Sequence, residues 1–385
     1  MRDDLGSTGP TTHTVRRGAT ARTRALALTA ALAPALLVAA CSSGGPATEG
    51  GRTPDDGGAS GATDGSVIVA PTEEEACATA KEEGQTEVSY RSATDADQFQ
   101  QETAGFREKY PWMKVTFTNM TPIDSVQNVL AQVQTGHALD VDANDLDPVN
   151  ARTIFEAGAA QSVDWSGSGV QEDTLMTLSG VSTFRSTRNP MGIGYSTERY
   201  TADDLPDTWE ELVDPAYAGK VSYDPRATFL AGLALAWGKD KTLDWYGRFL
   251  DVDAAVANLG ISSSLQAAAS GELPISTTAT ASEVAQMQEA GVPIAIKYLD
   301  VVPTQETYEV LYKDAPHPDA ALCFLAWFGS TDGGLAALEK VEHRPTGAEP
   351  EGLPVGAQLV FASTGEDLDL LTDVAQSMVE LQPAS

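Results

Sequence analysis

Cysteine, histidine and positive charge are all scarce in this 385-residue chain. It has 3 Cys, 4 His and 24 Lys plus Arg against 55 Asp plus Glu, a formal net charge of -31. So few basic residues leave no phosphate-binding stripe, which excludes a nucleic-acid role, and the acidic surface repels anionic headgroups. Past the N-terminal segment the histidines are His137, His317 and His343, with no H-E-x-x-H and no C-x-x-C spacing. Gly219-Lys220-Val221 lacks the leading glycine and the trailing Ser or Thr of a phosphate loop, and no G-x-S-x-G elbow occurs. Long apolar runs are missing too. The run from Ala25 to Ala40 is broken by Thr29 and Pro34 and falls short of the roughly 20 residues of a spanning helix.

What is present begins with Arg16, Arg17, Arg22 and Arg24 ahead of that run, the pattern of a secretory signal. Val38-Ala39-Ala40-Cys41 resembles a bacterial lipobox, which makes residues 1–40 the signal peptide and Cys41 the lipidated first residue. An ordinary signal with an incidental cysteine is the alternative. The Ser, Gly, Asp, Thr and Pro of residues 42–66 suit a flexible tether, so 41–72 is assigned as lipidated cysteine plus linker. Arg16-Arg17 hints at twin-arginine export, but Gly18-Ala19-Thr20 lacks the apolar residues for it. Cys77 and Cys323 remain, and in an oxidising compartment they form one long-range disulfide or stay two buried thiols.

About 300 residues follow, enough for two lobes. Helix formers from Glu73 stop at Gly84, and Glu87 to Tyr90 reads as a strand. Arg91 to Thr94 reads as a polar turn before a helix ending at Tyr110-Pro111. Lys114 to Phe117 alternates as a second strand. Val126, Val129, Leu130 and Val133 form one face of a helix over 124–134, closed by Gly136. This alternation predicts an α/β layer with helices on the sheet faces.

Glu87-Val88-Ser89-Tyr90, Phe106-Arg107-Glu108-Lys109-Tyr110-Pro111 and Lys114-Val115 resemble the start of family 1 extracellular solute-binding proteins, the ligand-capturing subunits of ABC importers. In the same order follow Gly192-Ile193-Gly194-Tyr195-Ser196-Thr197, Leu205-Pro206-Asp207-Thr208-Trp209, Gly219-Lys220-Val221 and Asp314-Ala315-Pro316-His317-Pro318 leading into Phe324-Leu325-Ala326-Trp327-Phe328. The resemblance covers about Gly84 to about Gly347 and includes the ferric-iron branch. It implies a two-lobed type II periplasmic-binding-protein-like α/β fold, each lobe a mixed sheet flanked by helices, joined by crossover hinge segments. Lobe 1 is expected over 73–189 and 295–344, and lobe 2 over 190–294 and 345–385.

Asp224-Pro225-Arg226-Ala227-Thr228 ends a strand and starts a helix expected to run through Leu230, Leu233 and Ala236. This sets Arg226 and the Thr228 hydroxyl beside unpaired N–H groups, a place for an anion. A surface arginine beside an ordinary cap is the bland alternative. Tyr90, Arg91 and Ser92 hold the matching place in the first lobe, so Arg91 and Arg226 could clamp an anion between lobes. Asn144 lies on a neighbouring loop. Ser276, Thr277 and Thr278 follow Gly271-Glu272-Leu273-Pro274, where the family's iron binders carry adjacent tyrosines. That pair is missing here, as is the histidine often found in the first-lobe loop, which disfavours ferric iron while leaving an iron chelate open.

Asp140, Asp142, Asn144, Asp145 and Asp147 open like a calcium loop, but Asp145 stands where glycine and Ala151 where glutamate is needed, so a solvated strand-end loop is expected and no metal site. Trp209, Trp245 and Trp327 read as core. The resemblance therefore implies a monomeric, extracytoplasmic, lipid-anchored solute receptor without cofactor or enzymatic activity, with a small-molecule ligand and an ABC permease as partners. A ferric binder, an exported sensor or an enzyme using the cleft are the alternatives.

Overall fold

Thr72, Asp95, Thr121, Asp147, Thr280 and Thr364 each start a helix by accepting one or more of its first free N–H groups. The structure is a computed structural model that describes residues 66–256, 260–347 and 352–383; the signal segment, Cys41 and the tether up to residue 65 lie outside the described residues. β1 (Ile68–Val69) leads to α1 (Glu73–Glu82), closed by a reciprocal Thr72–Glu75 capping box. β2 (Glu87–Ser92), α2 (Ala96–Glu102), α3 (Ala104–Lys109) and β3 (Lys114–Asn119) follow, with Asp95 capping α2. Thr121 and Asp147 cap α4 (Pro122–Thr135) and α5 (Pro148–Glu156) on either side of β4 (Ala143–Leu146), each helix with proline in its first turn. β5 (Val163–Asp164) and β6 (Leu175–Leu178) precede the 16-residue β7 (Val181–Ser196).

Next come β8 (Val221–Tyr223), α6 (Thr228–Ala231), α7 (Ala234–Trp237), α8 (Lys239–Asp251), β9 (Ala255–Val256) and α9 (Ile261–Ser270). β10 (Ile275–Thr280), α10 (Ala281–Glu289) and β11 (Ile294–Lys297) lead to the 11-residue β12 (Val301–Leu311). The chain ends its described part with α11 (Pro318–Phe328), α12 (Gly334–Glu342), β13 (Gln358–Val360) and α13 (Gly365–Leu381).

One mixed sheet runs β3-β2-β4-β12-β7-β10-β8-β9, with β6 and β11 on β7 and β13 on β12. β2 pairs in parallel with β3 and β4, and β8 in parallel with β10 and β9, the pairing that helical crossovers require. β7 and β12 run antiparallel from Phe184 opposite Glu309 to Pro190 opposite Thr304. Past Pro190, β7 pairs with β10 and β11, so this one strand belongs to both halves of the sheet. Gly194 permits that course: a Cβ there would lie 2.4 Å from Leu265 Cδ2.

Each half is a sheet between two apolar layers. In the first half Tyr90, Phe99, Phe106 and Phe324 pack on one face and Val129, Ile154 and Tyr308 on the other. In the second half Trp209, Tyr223 and Trp245 pack on one face and Leu265, Ala279 and Val284 on the other. Trp209, Trp245 and Trp327 are all buried, as expected of core. Each fully buried aromatic contributes about 2 kcal/mol. Cys77 in α1 and Cys323 in α11 form a disulfide, with Cα atoms 4.6 Å apart. α13 returns to pack on α6 and α8.

Three local expectations need correction. β2 runs on through Arg91 and Ser92, because both keep ladder partners, Thr118 and Asn119 of β3, instead of turning. The helix expected from Ala227 through Ala236 is two short pieces divided at Gly232, where a Cβ would come within 2.7 Å of Pro303 Cβ, so the glycine lets this segment meet β12. The aspartate run is no solvated loop: Asp142 is fully buried and accepts from the Ser89 and His317 backbone N–H groups at 2.7 and 2.6 Å.

Candidate ligand-binding cleft

The second half supplies the most open of the expected site residues. β8 stops at Tyr223, and Pro225, lacking an N–H, cannot extend the ladder. Asp224 then turns the chain by accepting from the Arg226 backbone N–H at 2.9 Å, and its carboxylate also pairs with the Arg226 guanidinium, Nε to Oδ1 at 3.0 Å. Burial works to raise Asp224, but the bonds from Arg226 outweigh it and leave the carboxyl below its ordinary value. Ala227 adopts left-handed φ of 59° before Thr228 opens α6. Gln382, just past α13, pins the turn by donating to the Pro225 carbonyl at 2.7 Å.

Arg226, with 52% of its side chain exposed, and Thr228 border a groove of about 570 Å³. Its opposite wall comes from the first half, Ile123 at the start of α4 and Asp147 to Asn150 at the start of α5. Met191 of β7 and Pro303 to Glu306 of β12 lie between, and Leu368 and Leu371 of α13 add apolar surface. The groove thus meets both halves at the strands they share. That position suits a ligand whose binding depends on the angle between halves.

The remaining expected residues face elsewhere. Alternation along β2 sends Arg91 to the α4 side, where it pairs with Asp140 at 2.5 Å and donates to Asn128 Oδ1 at 3.0 Å. Only 4% of that side chain is exposed, so Arg91 does not stand across the groove from Arg226. Tyr90 and Ser92 point to the other face, donating to Glu309 Oε2 at 2.8 Å and Asp145 Oδ2 at 3.0 Å. Asn144 is buried and donates to the Arg91 carbonyl at 3.1 Å. Ser276 bonds the Ser264 hydroxyl at 2.5 Å, Thr277 donates to the Ser222 carbonyl at 3.1 Å, and Thr278 is buried with its hydroxyl unpartnered. The structure therefore brings Arg226 and Thr228 together at the groove, with Asp224 behind, and holds the other seven inside the halves.

Sequence reading missed the polar groups on the crossover strands. Arg188 Nε donates to Glu306 Oε1 at 2.6 Å while its guanidinium lies 3.8 Å over the Phe361 ring. Asn189 ties β7 to α10, donating to Ser282 Oγ at 2.6 Å and accepting from its backbone N–H at 3.2 Å. The signal was present as an unbroken run of five polar residues, Arg185 to Asn189, in the middle of a buried strand. Three carboxylates, Glu102, Glu309 and Glu342, also went unnoticed; they gather behind Tyr90 and Ser92 with Asp145, which the sequence had singled out only as part of the aspartate run.

Comparison with known proteins gives the context for this geometry. Residues 94–348 match the family model described as bacterial extracellular solute-binding protein. The sequence matches none of the curated proteins. Among solved structures, iron-bound HitA from Pseudomonas aeruginosa is 14% identical, with 77% of this chain and 100% of that one covered and a TM-score of 0.64. Trichodesmium IdiA (FutA), in complex with iron and citrate, is 16% identical over 77% and 98% of the chains, TM-score 0.61. The periplasmic binding protein AfuA from Actinobacillus pleuropneumoniae, with fructose-6-phosphate bound, is 18% identical over 77% and 98%, TM-score 0.59. The fold shared with these neighbours is the type II periplasmic-binding-protein fold.

Proposed function

The chain belongs to the bacterial extracellular solute-binding protein family, and from that premise we propose that it captures a small polar or anionic solute in the groove beside Arg226 and Thr228 and hands it to an ABC permease. Cys41 carries the lipid that holds it to the outer face of the cell membrane, and it works as a monomer. The halves, 73–189 with 295–344 and 190–294 with 345–385, close on the solute by rotating about β7 and β12. The solute shifts that equilibrium by binding the closed state more tightly than the open one.

The observation that carries this reading is the groove itself, walled by both halves and by the strands they share, with Arg226 half exposed at its side. Citrate and fructose-6-phosphate, bound by two structural neighbours, are oxygen-rich anions of the kind a guanidinium meets bidentately. The groove lining includes Asp147 and Glu306 but neither tyrosine nor histidine, which favours an organic anion over a bare ferric ion. Binding without turnover fits a family of binding proteins. Calorimetry with citrate and fructose-6-phosphate tests this: Arg226→Ala should weaken binding by about tenfold or more with melting unchanged. Unaltered affinity in that variant would sink the assignment.

A further inference from the structure

The strands shared by the two halves carry a second recess that the receptor reading leaves unused. Arg185 and Arg188 of β7 and Glu306 and Tyr308 of β12, with Asp173 and Phe361 beside them, line a cavity of about 150 Å³. It adjoins the solute groove, which has Glu306 and Ala362 in common with it but neither arginine. Thr177 and Ser363, both exposed, connect it to solvent. The carboxylate on its wall is already engaged: Arg188 Nε donates to Glu306 Oε1 at 2.6 Å and Tyr308 Oη to Glu306 Oε2 at 2.9 Å. Arg185 Nη1 donates to the Thr346 carbonyl at 3.2 Å, and its Nε lies 3.8 Å from Glu306 Oε1, beyond hydrogen-bonding range. Arg185 Nη2 has no partner, on a side chain only 3% exposed.

An arginine keeps its charge inside a protein, and a buried cation needs an acceptor or a counter-charge against it. Glu306 is committed to Arg188 and Tyr308, and Asp173, the other acid on the wall, is exposed and makes no ion pair with Arg185. Burial and repulsion by Arg188 together outweigh the attraction of Glu306 and lower the Arg185 guanidinium below its ordinary value. The unspent atom is a donor, so the occupant must accept hydrogen bonds, and negative charge is the natural complement of a guanidinium. The space is about ten times what a single water requires, which suits a polyatomic ion. We propose that this cavity binds a small oxyanion of the sulfate or phosphate kind, which accepts from Arg185 Nη2. The site is separate from the solute position, because Arg226 lines only the groove and Arg185 only this cavity.

The test is calorimetry of the full chain with sodium selenate, at an ionic strength held constant by sodium chloride, beside anomalous diffraction from selenate-soaked crystals. Arg226→Ala removes the cation of the groove, so one saturable selenate site should remain in that variant. Adding Arg185→Gln to it should weaken the remaining site about tenfold. The selenium peak in wild-type crystals should lie beside Arg185, which covers the case in which the Arg185→Gln chain does not fold. Absence of saturable binding from Arg226→Ala, binding that Arg185→Gln leaves unaltered, or a peak confined to the groove overturns the proposal and leaves the cavity to water. Citrate and fructose-6-phosphate read Arg226, and selenate in the Arg226→Ala chain reads Arg185, so either reading can fail while the other stands.

Discussion

Arg91 and Arg226 hold like places in the two halves of the sheet, each near the end of a strand that feeds a helix, and the structure uses them in opposite ways. Arg91 lies inside β2, so strand alternation fixes its direction and Asp140 and Asn128 hold it in place. Arg226 lies three residues past the end of β8, where no ladder dictates its direction, and Asp224 props it beside the groove. Two residues of extra strand separate a packed cation from an accessible one. The same division runs through the halves: the first carries the disulfide, most of the buried carboxylates and the enclosed Arg91, and the second presents Arg226 and Thr228 to the groove, with buried Asp224 as the support of Arg226.

If the first half is built for stability, disrupting it should move melting and leave affinity alone. The largest effect is expected from the Cys77–Cys323 bond, which closes a separation of 246 residues. Reduction should destabilise the chain by about 2 to 4 kcal/mol in a thermal melt, with solute affinity at low temperature unchanged. Arg91→Ala should follow at about 2 kcal/mol, from lost packing and hydrogen bonds of a buried side chain. A fall in affinity without a fall in melting would make Arg91 a ligand residue after all and erase the contrast with Arg226.

Acidity separates the halves next. Burial raises Glu102, Asp145 and Glu309 above the ordinary carboxylate range, so the folded chain keeps protons that the unfolded chain releases. Their stabilisation is fully present below the unfolded values and is lost as pH rises through the folded ones. Melting should therefore fall from about pH 5 to about pH 8, by on the order of 2 kcal/mol, and Glu102→Gln should flatten the slope. Melting that rises over the same range would show these acids ionised and paired. The smallest effect belongs to Thr228→Ala, which should cost the solute about 1 kcal/mol of binding, read by calorimetry, with no change in melting.

Much of the scaffold was legible because its causes are local. Gly84 and Gly136 announce helix stops, the alternation of Lys114 to Phe117 announces a strand, and the ordered motifs from Glu87 to Phe328 carried the two-lobed α/β architecture. The site was legible only where it too is local, in the turn from Asp224 to Thr228. Arg91 was misplaced because two parallel partners extend the strand, β4 through Arg91 and β3 through Ser92, which no property of Arg91 or Ser92 signals. The carboxylate cluster was invisible because its members stand at 102, 145, 309 and 342 and meet only through sheet order. The disulfide stayed one of two readings until α1 and α11 were seen side by side.

Native mass spectrometry of the chain recovered from its producing cells, set against its denatured mass, tests the receptor claim most directly when run for wild type, Arg226→Ala and Arg91→Ala together. A discrete added mass that disappears on denaturation, is diminished in Arg226→Ala and persists in Arg91→Ala, is the predicted result. An added mass undiminished in Arg226→Ala, or lost from Arg91→Ala alone, would contradict it.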